Sequence, residues 1–272
     1  MPSSDMPMID CHVHLQTPPL PHRVEEVLNR SREAGVKKFI CNGTRQADWD
    51  CVLQLARHHD SVIPCLGLHP WFISKRSDDW QDRLEDLLTR NAAGVGEIGL
   101  DRWVTPRSED DQEEVFQTQI AIARRLDRPA MIHCLKAWGW LTELLNKTGV
   151  PDAGIVIHGY GGTPEMLEQL SHYGAWFSFA GNILDPRKKK ARAAAAAAPA
   201  DRLLAETDAP DMLPPKSSQP ACIFDQNGQA RNQPANLPLV VRELARLRNT
   251  DVEDLAHQLW KNASRLIKTI RE

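Results

Sequence analysis

Short apolar runs recur along the chain, and most are followed by a segment with helical spacing. In these segments apolar residues recur three and four positions apart, as at Val24, Val27 and Leu28. This spacing is typical of helices that cover one face of a sheet. The runs are spaced by about 20 to 35 residues, which favours repeated βα units. We therefore predict eight parallel strands, in the runs at residues 8–15, 37–43, 62–70, 94–101, 128–134, 153–162, 175–181 and 201–210.

Eight βα units predict a closed (β/α)8 barrel of the TIM type. Such barrels run to about 250 residues as one domain, and we predict a single α/β domain over residues 1–272. A doubly wound open sheet is the competing architecture, but no glycine-rich nucleotide turn follows the first run. Residues 211–236 are rich in Pro, Gln and Asn and are predicted as a long loop at the active face. Two closing helices are predicted at 237–248 and 251–270.

The first run carries His12 and His14. Side chains two apart on a strand point the same way, so both imidazoles are expected on one side of it. Two imidazoles on a rigid strand make a chelating pair for a transition metal. Asp10 is a candidate acceptor supporting them. The alternative is a pair of histidines satisfied within the core.

Other runs also end in polar residues that can bind metal. In a barrel, catalytic groups come from the carboxyl ends of several strands. Four histidines and two carboxylates brought together without cations would be unsatisfied or would repel one another, and two divalent ions resolve this. Glu97 is assigned as the bridging ligand, because a carboxylate can bridge two metals and an imidazole cannot. The mixed nitrogen and oxygen set suits Zn, Mn or Fe better than Mg, although Mg stays a candidate. The predicted set is His12, His14, Glu97, His133, His158 and Asp208.

Composition and net charge limit the classes of partner that the protein is expected to bind. The net charge is −3 and the sequence pI is about 6.4, so no general positive field attracts a polyanion, and any contact with nucleic acid is local. Six cysteines without CxxC pairing are expected to be reduced thiols. The N-terminus lacks a basic, then apolar, leader, and no run of 18 apolar residues occurs. We expect a cytoplasmic protein without membrane contact, as a monomer or a weak homo-oligomer.

A series of ordered motifs resembles the signatures of the TatD-like metal-dependent hydrolases, within the amidohydrolase-like barrels. The likeness runs nearly end to end, and its motifs are DCHVH, GLHP, GEIGLD, MIHC, IHGYGG, ETDAP and RNQPANLP. The resemblance implies a two-metal hydrolase that cleaves phosphodiester bonds in DNA. It implies that His12 and His14 bind the first metal and that His133 and His158 bind the second. It further implies that Asp208 holds the first metal and orients or deprotonates the attacking water.

Some positions depart from the family pattern. Leu135 stands where many members have an arginine, so a guanidinium able to grip phosphate is missing, and Lys136 is one residue away. Trp71 replaces an imidazole, and Gly161 replaces a hydroxyl donor. These changes do not alter the predicted metal ligands, but they alter positions that are expected to decide which substrate binds.

The remaining candidates concern substrate binding. His69 is a candidate contact for a phosphate or the leaving group, and Lys136 is a candidate phosphate contact. Arg231 and Asn232 match a family loop motif and are candidates for substrate contacts or loop anchors. The basic run at 187–192 is either a phosphate-attracting rim or a solvated helix face.

Three functions remain open at this point. A metal-dependent phosphodiesterase or deoxyribonuclease, exonuclease-like, acting on DNA ends or small phosphodiesters is favoured, because the fourth run supplies Glu97 rather than a lysine. A hydrolase of a small amide, ester or lactone is the alternative. A non-catalytic binding module is disfavoured, since it would have no use for all six ligands.

Overall fold

Eight strands coincide with the eight predicted apolar runs. The computed structural model of the protein describes residues 6–106 and 108–271; the first five residues of the N-terminus discussed above lie outside this range. All eight strands are short, and their residues are almost all buried. They are β1 Met8–Val13, β2 Val36–Asn42, β3 Val62–Leu66, β4 Gly94–Asp101, β5 Ala130–Leu135, β6 Ile155–Ile157, β7 Trp176–Phe179 and β8 Leu203–Ala205.

The strands form one parallel sheet in the order β1 to β8. Its first strand also bonds to the chain that follows its last strand. The backbone N–H of Asp208 donates to the carbonyl of His12 at 3.0 Å, and the N–H of His14 donates to the carbonyl of Ala209 at 2.8 Å. The predicted (β/α)8 fold class is therefore confirmed.

Helices connect the strands as the apolar spacing predicts. In α1 the buried residues Val27 and Leu28 lie on one face. In α4 the side chain of Ser108 accepts from the N–H of Asp111 and caps the helix, and three acidic residues occupy its first turn. The helices are α1 Val24–Glu33, α2 Gln46–His58, α3 Trp80–Arg90, α4 Glu109–Arg125, α5 Trp138–Thr148, α6 Pro164–Ser171, α7 Lys189–Ala197, α8 Leu237–Arg248 and α9 Val252–Arg271.

Two compact units can be distinguished along the chain. The first unit comprises residues 1–41, 159–167 and 177–265. In it the ring of Tyr160 packs edge-on against Phe177 at 5.3 Å, and Asn262 of α9 donates to the carbonyl of Leu203 at 2.9 Å. This hydrogen bond from the side-chain amide of Asn262 links α9 to the start of β8.

The second unit comprises residues 42–158, 168–176 and 266–272. In it α2 packs against β3, α4 against β4 and α5 against β5, and its core includes the fully buried indole of Trp49. The indole N–H of Trp49 donates to the carbonyl of Gly67 at 2.9 Å, so this buried polar group is satisfied. The predicted single domain stays a prediction.

Residues 211–236 contain a small antiparallel hairpin that the sequence analysis treated as loop. Its strands are β9 Ile223–Phe224 and β10 Ala230–Arg231. Asp225 organises the turn, since its carboxylate accepts from the N–H groups of Asn227 and Gln229 at 2.9 Å each. Two-residue strands are too short to show alternation, and the Asn-Gly pair inside the turn was the available signal.

Two further expectations concern membrane-spanning helices and the state of the cysteines. Across residues 6–106 and 108–271, no helix combines the length and the apolar character needed to cross a bilayer. All six cysteines are free thiols.

Candidate functional site: two clusters of histidines and carboxylates

The first cluster, the β1/β8 cluster, comprises His12, His14 and Asp208. His12 lies near the end of β1, His14 follows that strand, and Asp208 follows β8. The Nε2 atoms of the two histidines are 3.3 Å apart. Oδ1 of Asp208 lies 3.3 Å from Nε2 of His14 and 3.8 Å from Nε2 of His12. All three residues are buried. Two ring nitrogens and a carboxylate oxygen therefore face one another, as the i, i+2 spacing predicts for the histidines.

The chain beside Asp208 is held by side chains from elsewhere in the first unit. Thr207 donates its backbone N–H to Oδ1 of Asp10 at 2.9 Å, and Asn232 donates from Nδ2 to the carbonyl of Thr207 at 2.8 Å. Asp208 itself has a positive φ of 55°, in the left-handed region that aspartate tolerates better than most residues. These bonds fix the direction in which its carboxylate leaves the backbone.

The carboxylate of Asp10 binds backbone groups of β1 and of the segment that follows β8. Its carboxylate accepts from Thr207 and, at 3.4 Å, from the backbone N–H of His12. Burial raises the pKa of Asp10 to about 8, although the hydrogen bonds from Thr207 act in the opposite direction. The residue links the middle of β1 to the chain that carries Asp208.

The second cluster, the β4–β6 cluster, comprises His69, Glu97, His133 and His158. Glu97 lies at its centre: its Oε1 is 2.7 Å from Nε2 of His158, 3.3 Å from Nδ1 of His133 and 3.4 Å from Nε2 of His69. Ligand atoms of His69, Glu97 and His133 all lie within 4.8 Å of one another. Three ring nitrogens therefore surround one buried carboxylate oxygen.

His133 is held from both sides of its ring. While Nδ1 faces Glu97, Nε2 lies 3.1 Å from Oδ2 of Asp101. Burial lowers the pKa of His133, but the hydrogen bonds to Asp101 and Glu97 outweigh it and raise the pKa overall. A carboxylate on the far nitrogen of a ligand histidine is the usual means of fixing its tautomer and ring orientation.

Asp101, which the sequence analysis did not select, binds four groups. Its Oδ1 accepts from the N–H groups of Trp103 at 2.5 Å and Val104 at 3.1 Å, and its Oδ2 accepts from the indole of Trp71 at 2.6 Å as well as contacting His133. Burial raises its pKa, but these hydrogen bonds prevail and lower it to about 2. Asp101 is therefore ionised at neutral pH. The signal that could have found it is its place at the end of GEIGLD, where the rule used for Glu97 also applies.

Two glutamines of α4 fix the chain on either side of this cluster. Gln112 accepts from the N–H of Asp101 at 2.7 Å and donates to its carbonyl at 2.9 Å. Gln119 does the same for Leu68, at 2.7 and 3.2 Å. Each amide binds backbone through both its oxygen and its nitrogen, and the two side chains hold the residue next to His69 and the end of β4.

The sequence analysis did not select a further carboxylate, that of Glu206. It precedes Thr207 in ETDAP, is fully buried and accepts from the N–H of Gly159 at 2.6 Å. Like Asp101, it sits at the end of an apolar run, so the same rule could have selected it.

The predicted substrate residues lie in three settings. Lys136 follows β5 and places its Nζ 5.0 Å from the centre of the Trp103 ring. Arg231 pairs with Asp225 at 3.0 Å. Asn232 is buried and bonded to backbone, which is the geometry of a loop anchor.

The donor chemistry of both clusters fits divalent metal ions. Each combines ring nitrogens with a carboxylate oxygen at a buried position, and such mixed sets suit transition metals such as Zn or Mn. Candidate metal ligands that lie within or just after the strands of a (β/α)8 fold are typical of a metal-dependent hydrolase of the barrel type.

Comparison with known proteins gives the family. The model of the family described as TatD related DNase matches residues 9–268, so the chain belongs to the TatD related DNase family. The metal-dependent hydrolase YjjV of Escherichia coli K12, named as uncharacterized, is 33% identical over 238 residues, covering 84% of this chain and 92% of that protein. A 3'-5' ssDNA/RNA exonuclease TatD from Erwinia tasmaniensis is 32% identical over 262 residues, covering 95% of this chain and 99% of that protein.

Solved structures agree with this placement. The crystal structure of YjjV from E. coli K12 has a TM-score of 0.85 to this chain, with 32% identity over 95% of this chain and 97% of that one. A TatD family hydrolase from Entamoeba histolytica has a TM-score of 0.84 at 19% identity, which shows the shared fold. The predicted resemblance to TatD-like hydrolases and the predicted class, a metal-dependent hydrolase, are confirmed.

Proposed function

We propose that this protein is a divalent-metal-dependent exonuclease that hydrolyses phosphodiester bonds at the ends of single-stranded DNA. The observation that carries the proposal is the pair of histidine–carboxylate clusters in a chain that aligns almost end to end with a relative named as an ssDNA/RNA exonuclease. The net charge of −3 also disfavours gripping a long duplex, since duplex affinity depends on neutralised phosphates. An accessible strand end requires fewer such contacts.

We assign two divalent ions per chain to the two clusters. His12, His14 and Asp208 would hold the first ion, and His133 and His158 the second, with Glu97 shared between them. The nitrogen-rich donor set favours Zn or Mn over Mg. When bound, such ions polarise the phosphoryl oxygen and lower the pKa of a coordinated water.

The protein's own residues then orient the reactants and move the proton. Asp208 is assigned to aim the attacking water and accept its proton, because its backbone is fixed by the neighbouring bonds of Thr207 and the sheet. His69, whose Nε2 is 3.4 Å from Glu97, is assigned to the phosphate or leaving group. Lys136 and Arg231 are assigned to substrate contacts, and Asn232 is assigned to anchor the loop that carries Arg231.

The test is Asp208→Asn, with Asp82→Asn as the control, because Asp82 is an exposed carboxylate of α3. If Asp208 is chiefly an acid–base group, kcat on a single-stranded oligonucleotide falls on the order of 100-fold or more with metal retained. If it is chiefly a ligand, the first metal is lost as well. Both metal content and kcat are measured. A variant that keeps full metal and near-normal turnover removes Asp208 from the mechanism.

Substrate class is tested on the wild-type protein. Metal-loaded enzyme is offered single-stranded oligonucleotides, amides, esters and lactones. Hydrolysis of an amide or lactone without oligonucleotide cleavage would replace the exonuclease assignment with a small-molecule hydrolase. The cytoplasmic location and the monomer or weak homo-oligomer stay predictions, and light scattering measures the oligomeric state.

A further inference from the structure

Two large indoles of the second unit lie open to solvent. Trp71 is 53% exposed and Trp103 is 66% exposed, although apolar surface of this size is normally buried. Both are tied to the same buried carboxylate: Trp71 donates its indole N–H to Asp101, and Trp103 donates its backbone N–H. Asp101 in turn contacts His133. Both tryptophan residues are therefore bonded to the carboxylate that contacts a histidine of the β4–β6 cluster.

A cation accompanies these rings. The Nζ atom of Lys136 lies 5.0 Å from the centre of the Trp103 ring, within cation–π range. Lys136 has a positive φ of 56°, at the point where the chain leaves β5. Nearby Arg102 is engaged elsewhere, because it pairs with Glu109 at 3.2 Å. Lys136 therefore places a positive charge beside the exposed indole of Trp103.

Exposed aromatic rings beside a cation are typical of sites that bind single-stranded nucleic acid. Proteins that bind single strands without sequence preference stack successive bases on aromatic rings and place cations along the phosphates. Such stacking also supplies affinity that does not depend on a general positive field. This suits a chain whose net charge is −3.

We propose that Trp71 and Trp103 form a base-stacking platform for the terminal nucleotides of a single strand, with Lys136 contacting the adjoining phosphate. The proposal rests on the proposed exonuclease function and adds to it a subsite that recognises bases. It predicts that affinity for an oligonucleotide depends on its bases as well as on its phosphates. The hydrogen bond from Trp71 to Asp101 orients one ring of this platform.

The first test is Trp103→Ala, since the bond of residue 103 to Asp101 is made by its backbone and survives the change. Its KM for a single-stranded oligothymidylate is expected to rise at least about 5-fold, the lower end of base–aromatic stacking. With an oligonucleotide made abasic at its terminal positions, wild type and variant should show the same KM. A KM increase that persists on the abasic oligonucleotide would overturn the platform.

Two variants separate stacking from positioning at residue 71. Trp71→Leu removes the ring and should raise KM for the oligonucleotide, whereas Trp71→Phe keeps a ring, loses the N–H bonded to Asp101 and should largely preserve KM. The control is Trp260→Leu, because Trp260 forms a similar pair with Lys38, 5.9 Å from ring centre to Nζ, on the closing helix α9. The control should leave KM unchanged.

These experiments distinguish a failure of the base-stacking platform from a failure of the proposed exonuclease function. If the wild type cleaves oligonucleotides and neither Trp103→Ala nor Trp71→Leu changes KM, the platform is refuted and the exonuclease function stands. If the wild type cleaves no oligonucleotide, the exonuclease function fails, and quenching of tryptophan fluorescence by oligothymidylate decides the platform. Saturable quenching that weakens in Trp103→Ala supports it, and absence of quenching refutes it.

Discussion

Replacing Asp101 by Asn tests whether the carboxylate behind His133 supports the proposed metal site. The change keeps the shape of the side chain but turns one oxygen into an NH2 group that cannot accept a hydrogen bond. If Oδ1 keeps its two backbone donors, the indole of Trp71 and the ring of His133 both lose their acceptor. A hydrogen bond to a charged group contributes about 1.5–3 kcal/mol.

The expected result is a metal affinity 10- to 100-fold weaker, roughly 1.4–2.8 kcal/mol, as is typical when the outer partner of a ligand histidine is lost. Competition with a chromogenic chelator measures the affinity, and kcat is measured over a range of metal concentrations. Asp110→Asn, on the exposed surface of α4, is the matched control. Metal affinity and turnover within about twofold of wild type would show that Asp101 does not support the site.

Three further changes test the framework around the clusters. Gly99→Ala would place a Cβ 2.0 Å from the carbonyl oxygen of His133, so we expect little folded protein, measured by circular dichroism and soluble yield. Asn232→Ala removes the bond to the carbonyl of Thr207, and we expect kcat to fall with a loss of about 1 kcal/mol in unfolding free energy. Glu243→Gln should destabilise the protein at pH 7 by about 1–3 kcal/mol in urea unfolding, because a part-buried cluster of two arginines loses its carboxylate.

The effect at Glu243 depends on pH with a defined sign. Hydrogen bonds from Arg246 and Arg192 lower its pKa below the ordinary value of 4.5 despite partial burial. The folded state therefore binds the proton less readily than the unfolded chain, and the carboxylate contributes stability above about pH 4.5 that is lost as the pH falls through the lowered value. The difference between wild type and Glu243→Gln should shrink on acidification. A constant difference from pH 7 to pH 3 would contradict this reasoning, as would a well-folded Gly99→Ala or an Asn232→Ala variant with wild-type kcat.

Local patterns predicted the strands and the approach of His12 and His14, while their role as metal ligands stays a prediction. Apolar runs bounded by helical segments locate β1 to β8, because a buried parallel strand must be apolar on both faces. The spacing of His12 and His14 predicts their approach, since alternation on a strand is a local rule. The same rule directs Val13, which lies between them, to the opposite side of the strand.

The contacts of Asp101 could not be predicted in this way. Trp71 precedes it by 30 positions and His133 follows it by 32. Their meeting depends on how the chain turns after β3, β4 and β5, and turns of this kind carry no periodic signal. The exposure of Trp71 and Trp103 could not be predicted either, because large apolar side chains are normally buried and no local pattern marks those that are not. The hairpin at Asp225 was missed because its strands are only two residues long.

The two glutamines of α4 also restrict how this protein can vary in length. Gln112 and Gln119 are seven positions apart, so they lie on nearly the same face, about 10.5 Å apart along the helix axis. Inserting one residue between them would rotate one amide by about 100° relative to the other, and one of the two strand ends would lose its paired hydrogen bonds. An insertion in the connection at residues 102–107 leaves that spacing untouched. Natural or engineered changes in length are therefore expected before α4, where they can vary the surface beside Trp103, and not between its two glutamines.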